Sequence, residues 1–187
     1  PETVLEETVF VDGRTLHIGD ATYDLAGFEK VIVLGGGNAA GHVASALESI
    51  LGEVIDDGVV VTDKPTETAV IRTVEGSHPV PDERAHQGAR AILERAEAAE
   101  SETLVLAAIT GGGSALLPAP AGDVSLADLR ILTDKLLASG AAIDEINAVR
   151  KHVSALKGGR LARAATPATT AGLLFSDVAG DDPAVIA

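Results

Sequence analysis

The stretch AAITGGGSALLPAP, from Ala107 to Pro120, puts an apolar run, three consecutive glycines and a serine hydroxyl within a few residues. Glycines let the backbone take positive φ and approach a ligand closely. Successive N–H groups can then form a concave anion site, to which Ser114 adds a hydroxyl. That is phosphate-binding chemistry, for which Gly111, Gly112, Gly113 and Ser114 are the candidates. A P-loop carries a lysine directly after its last glycine. Here Ser114, Ala115, Leu116 and Leu117 follow instead, so the positive charge must come from elsewhere. The competing reading is a tight turn whose glycines only avoid a clash.

The charge has a candidate source in INAVRKHVSALKGGRLA. At helical spacing Ile146, Val149, Val153 and Leu156 form one stripe. Asn147, Arg150, Lys151, Ser154 and Lys157 form the next. Lys30, Lys64, Lys135, Lys151 and Lys157 are all the lysines in the chain, so this cluster of cations stands out. Arg can hold a phosphate with two donors, and Lys acts as a point charge. The alternative is a solvated helix face whose cations complement the dipole. In SDVAGDDP, Asp177, Asp181 and Asp182 follow an apolar run. They read either as Mg²⁺ ligands or a base for a hydroxyl, or as an acidic surface turn. In GSHPVPDE, His78 lies between an apolar run and a helix that Asp82 can cap. GGGNAAG offers a different chemistry. Gly35, Gly37 and Ala40 fit the dinucleotide fingerprint, with Asp63 ending the next strand as a ribose-binding acid. The plain reading there is a helix packed tightly on its strand.

These groups need elements to position them. KVIVLGGG, GVVVTDK, AVIRTVEGS, TLVLAAIT and TTAGLLFSD read as strands with continuously apolar interiors. Helices are expected after GGGN as far as Gly52, over PDERAHQGARAILERAEAAE, and over SLADLRILTDKLLASG, where Ser125 and Asp128 make a capping box. A further helix is expected from Ala142 to the Gly158-Gly159 pair. Short β-rich runs broken at Asp12-Gly13 and Gly19-Asp20 predict a small hairpin or meander at the N-terminus. The alternation predicts an α/β fold: a three-layer, Rossmann-like, doubly wound and mostly parallel sheet. Ligands then belong at the carboxyl ends of the strands. That rule selects Gly35–Asn38, Ser77–Asp82, Gly111–Ser114 and Ser176–Asp182.

Composition narrows the classes. The 187 residues carry 28 acidic and 14 basic side chains, a net charge of −14. Such a surface repels nucleic acid and anionic membranes. Acid excess with scarce lysine also fits adaptation to high salt. No apolar run approaches the ~20 residues of a membrane span, and no signal peptide is evident, so a soluble cytoplasmic protein is expected. With no cysteine, disulfides and cysteine-ligated metals are excluded. The chain contains no methionine, so a piece of a longer protein is expected.

GGGNAAGHVASALE, SHPVPDERA, ITGGGSALLPAP, INAVRKHVSALKGGRLA and LLFSDVAGDDP, in this order, resemble the type-2 glycerate kinase family, whose members carry a C-terminal MOFRL domain. The resemblance implies ATP-dependent, Mg²⁺-assisted phosphorylation of glycerate at the 2-hydroxyl, in a cleft between a Rossmann-like first domain and a smaller second one. Residues 1–187 would then be the first domain, incomplete and without its MOFRL partner, and the family suggests a homodimer. On this reading Lys157, Arg150 and Asp177 are catalytic, and Gly111, Gly112, Gly113, Ser114 and Lys151 hold nucleotide phosphates. Asn38, His78 and Gly37 line the substrate side, and Asp177 with Asp182 binds Mg²⁺. The family often has a lysine where Asn38 stands, so that lysine's role cannot pass to Asn38. Some relatives are labelled hydroxypyruvate reductases, which would use NAD(P)H at the Gly35–Gly37–Ala40 turn. A domain that only binds anions is a third expectation.

Overall fold

The computed structural model describes residues 2–175. A helix, α1 (Glu2–Thr8), leads into three short antiparallel strands, β1 (Val9–Asp12), β2 (Thr15–Ile18) and β3 (Ala21–Asp24), in the order β1-β2-β3. The expected hairpin or meander is thus three-stranded. The helix before it was not expected: its seven residues carry no clear apolar period, and it is docked by Leu5, which is fully buried.

The main sheet follows. Its strands are β4 (Lys30–Gly36), β5 (Asp57–Thr62), β6 (Ile71–Glu75), β7 (Thr103–Thr110) and β8 (Thr169–Phe175). They pair in the order β6-β5-β4-β7-β8, all parallel. The order reverses between β4 and β7, so the chain winds outward in both directions from that pair. Side chains alternate across the sheet. Val31, Val33, Val60, Leu104 and Leu106 pack towards α2 (Ala40–Leu51) and the small sheet. Ile32, Leu34, Val59, Val61 and Val105 pack towards α3 (Glu83–Glu97) and α7 (Arg160–Ala164). Covering both faces is what the continuous apolar runs require.

Local signals set most boundaries. Asp82 caps α3 by accepting from Ala85 N–H at 2.8 Å. Ser125 and Asp128 form the capping box of α5 (Leu126–Ala138). Gly52 ends α2. After β7 come α4 (Gly113–Leu116), α5 and α6 (Ile143–His152). The helix expected as far as Gly158 stops at His152. Residues 153–155 instead pair antiparallel with 119–121: Ala121 N–H donates to Val153 O at 3.0 Å and Ala155 N–H to Ala119 O at 2.7 Å. Val153, Ser154, Leu156 and Lys157 are therefore not on one helix with Asn147 and Arg150. The expected stripes hold only as far as His152, and Val149 is exposed.

Candidate functional site

At the reversal point the two glycine turns lie side by side, and their N–H groups have opposite fates. In the first turn every N–H from Gly37 to Ala40 is used internally. Gly37 donates to Val61 O at 2.9 Å, Asn38 to Gly111 O at 2.7 Å, and Ala40 to Gly37 O at 3.1 Å. Ala39 donates to Thr110 Oγ1 at 3.1 Å. Glycine is required here for close packing. A Cβ on Gly35 would collide with Ala108 O, and one on Gly37, where φ is +139°, with Thr110 Oγ1. The fingerprint spacing is thus met by a helix packed against neighbouring backbone, with no donor left for a pyrophosphate.

The second turn is open. Gly112 takes φ +82° and turns the chain into α4. Ala115 and Leu116 N–H return to Gly112 O, and Leu117 N–H to Gly113 O. Among the described residues nothing accepts from the N–H groups of Gly112, Gly113 or Ser114. A left-handed glycine followed by helical residues is the geometry of an anion-binding nest. Asn38 abuts this turn, since a Cβ on Gly112 would meet its carboxamide. Asn38 and Gly37 therefore brace the second loop from behind.

A cleft of about 300 Å³ opens over this loop, at the carboxyl ends of β7 and β8. Gly111–Ser114 form its floor, with His78, Pro79 and Pro81 on one side. α5 and α6 contribute Thr133, Leu137, Ile143, Asn147 and Arg150. Arg130 Nε donates to Pro81 O at 2.7 Å and ties α5 to the His78 loop. Arg150 is half-buried, which holds its guanidinium below the ordinary value. A narrow recess continues from the cleft, sharing Ser114, Thr133 and Arg150 with it and ending at Lys157. Lys157 is only 8% exposed, and its Nζ donates to Leu117 O at 2.8 Å. Burial, and secondly the Arg150 charge, lower its pKa to about 7. No described carboxylate pairs with Arg150 or Lys157.

Of the sequence-derived candidates, the structure brings together Gly111, Gly112, Gly113, Ser114, His78, Arg150 and, through the recess, Lys157. Lys151 does not line the cleft; its stem lies alongside Gly158. Asp177 and Asp182 lie outside the described residues. Thr133, Leu137 and Ile143 are cleft residues that no local motif signalled. The lining offers N–H donors and cations, and the described residues contain no cluster of three side chains able to hold a metal. The described part of the site thus fits phosphate groups and does not by itself fit Mg²⁺.

Fold and site define a doubly wound α/β domain with an open glycine turn beside a cleft at its switch point. The family described as "Domain of unknown function (DUF4147)" matches residues 1–187. The glycerate 2-kinase of Pyrococcus horikoshii is 44% identical over 186 residues, covering 98% of this chain and 40% of its own length. A putative hydroxypyruvate reductase of Agrobacterium vitis is 45% identical over 160 residues, covering 84% of this chain and 36% of that one. The crystal structure of a glycerate kinase from Thermotoga maritima superposes with a TM-score of 0.77 at 42% identity, over 84% of this chain and 39% of that one. The chain belongs to the DUF4147 family, that of the N-terminal domain of glycerate 2-kinases. It spans about two fifths of the length of the curated relatives it matches.

Proposed function

We propose that this chain is the nucleotide-phosphate half of a glycerate 2-kinase. The observation that carries the reading is the contrast between the two glycine turns: the second has N–H groups with no acceptor among the described residues, beside a cleft with Arg150, and the first has none to spare. The names of the glycerate kinase relatives, at 37–44% identity, support glycerate as substrate.

Phosphoryl transfer depends mainly on alignment and charge neutralisation. Gly112, Gly113 and Ser114 would hold phosphate oxygens of ATP through backbone N–H groups. Arg150 would offset charge on the group in transfer, with Lys157 behind it and Lys151 in support. His78 would line the glycerate side, while Gly37 and Asn38 keep the loop in place. Asp177 would either accept the proton of the attacking 2-hydroxyl or, with Asp182, be a Mg²⁺ ligand. A Mg²⁺ held there would supply neutralisation of phosphate charge. The remaining three fifths of the relatives' length would close the cleft as a second domain, in a homodimer. The acid excess suits a cytoplasm rich in salt.

The test is ADP release by the complete gene product from ATP, Mg²⁺ and D-glycerate in molar KCl, run beside oxidation of NADH by hydroxypyruvate. Glycerate-dependent ADP release is expected. Arg150→Ala should lower it by about 10²–10³-fold, as loss of a transition-state donor does elsewhere. NADH oxidation without ADP would favour the reductase reading that the Agrobacterium relatives' names carry.

A further inference from the structure

Among the described residues that line the recess, the only charges are the positive ones of Arg150 and Lys157. From α6 it receives Arg150, and from α5 Leu129 and Thr133, which carry none. The α4 side supplies Ser114 and Leu117, and Lys157 closes the end. Arg160, on α7, directs its guanidinium to the carbonyls of Lys151 and Ser154. Lys157 is buried and has lost most of its hydration, and the half-buried Arg150 beside it adds repulsion. Arginine does not deprotonate in proteins, so only the lysine can relieve the strain by releasing a proton. The hydrogen bond from its Nζ to Leu117 O can be donated by the neutral amine as well. An oxyanion placed between Ser114 and Arg150 reverses the balance, because a nearby opposite charge favours the ammonium.

The recess itself, about 10 Å³, has room for no more than a water, whereas the cleft at its mouth is about 300 Å³. We propose that an oxyanion seated in the cleft between Ser114 and Arg150, at the mouth of the recess, binds together with a proton, which Lys157 at the end of the recess takes up from solvent. The seat loads with little change in net charge, and its affinity depends on pH. The phosphoryl-transfer reading bears only on which oxyanion it is, a phosphoryl group or the substrate carboxylate. With the free lysine poised at about 7, uptake falls in the neutral range. Anion affinity should level off below that point and drop about tenfold per pH unit above it, until the loaded lysine itself deprotonates.

The experiment is calorimetry on the complete gene product without ATP, titrated with sulfate and separately with D-glycerate. Both anions stay fully ionised across neutrality, so a proton taken up belongs to the protein. Titrations at pH 8 in two buffers of different ionisation enthalpy should differ by the heat of about one proton per anion. Uptake with sulfate assigns the seat to a phosphoryl group, and uptake with glycerate assigns it to the carboxylate. Lys157→Arg should keep binding and lose both uptake and pH dependence. Lys157→Gln, whose carboxamide can still donate to Leu117 O, serves the same purpose if the arginine does not fit. Equal heats in both buffers, binding of neither anion, or uptake that survives in these variants overturns the proposal. Proton uptake without any ADP release would leave it standing while removing the kinase reading. ADP release with pH-independent anion binding would do the reverse.

Discussion

Lys157 marks the difference between a charge that sequence shows and one that structure defines. In the sequence it is one cation of a stripe. In the fold it is a buried amine facing a carbonyl, with Arg150 as its charged neighbour. Between pH 7 and the ordinary lysine value near ~10.4, the unfolded chain holds a proton that the folded chain does not. Stability therefore rises with pH across that window, and below it the folded state carries the full cost of a buried ammonium. Lys157→Met should flatten this slope and raise stability below pH 7 by up to a few kcal/mol. Urea unfolding at pH 6 and pH 9 reads both effects, and an unchanged slope would place the titration elsewhere. Gly112 was visible in sequence as one of three glycines, but the run alone did not show which of them needs its freedom. At φ +82°, with the Asn38 carboxamide where a Cβ would go, Gly112→Ala should cost about 1–3 kcal/mol. Asn38→Ala in the same chain should recover the collision and leave the backbone strain. Thermal melts of the two single variants and the double variant separate these contributions.

Elements were legible where a signal is local. TLVLAAIT coincides with β7, and Asp82, Ser125 and Gly52 mark helix ends as their chemistry requires. Distant partners stayed invisible. The end of α6 is set by pairing of residues 153–155 with 119–121, which no helical period within α6 can report. The same holds for the first glycine turn, whose donors are claimed by Thr110, Gly111 and Val61 from other strands. The link from β5 to β6, residues 63–70, contains no helix to set its course. Instead Glu48 on α2 accepts three backbone N–H groups, from Ala69, Val70 and Ile71, each at 2.7 Å. Burial pushes this carboxyl up, but those donors outweigh it and hold it below the usual range. Glu48 thus stabilises the fold at neutral pH, and that contribution is lost as pH falls from about 4.3 through the folded-state value. Glu48→Gln sets an amide donor against a backbone donor and should cost about 1–3 kcal/mol at pH 7. The difference from the parent should shrink towards pH 3. Hydrogen exchange at residues 69–71 should rise in the variant, and a variant whose protection there is unchanged would show that the connection is held by other contacts.

Across the whole molecule, charge and apolar surface are arranged differently. The net charge of −14 spreads over an exterior whose ion pairs are mostly exposed, such as Arg14–Asp24 and Arg90–Glu94. Exposed pairs of this kind contribute about 0–1 kcal/mol each, too little to offset the repulsion among the remaining carboxylates. The cleft is the exception, with Arg150 set among Leu137, Ile143 and Leu174, all about half exposed, and Lys157 in the recess behind it. Salt should therefore act on the two regions with opposite sign. At molar KCl a Debye length of roughly 3 Å screens the carboxylate repulsion, so the melting temperature should climb between 0.1 M and 2 M KCl. Chloride also competes for the recess cations, so sulfate affinity should weaken over the same range. Melts read the first effect and sulfate titrations the second, each over the same series of KCl concentrations. Equal stability in dilute and molar salt would mean that the acidic surface is already balanced within the fold. A sulfate affinity that does not weaken as KCl rises would place the sulfate away from the recess cations.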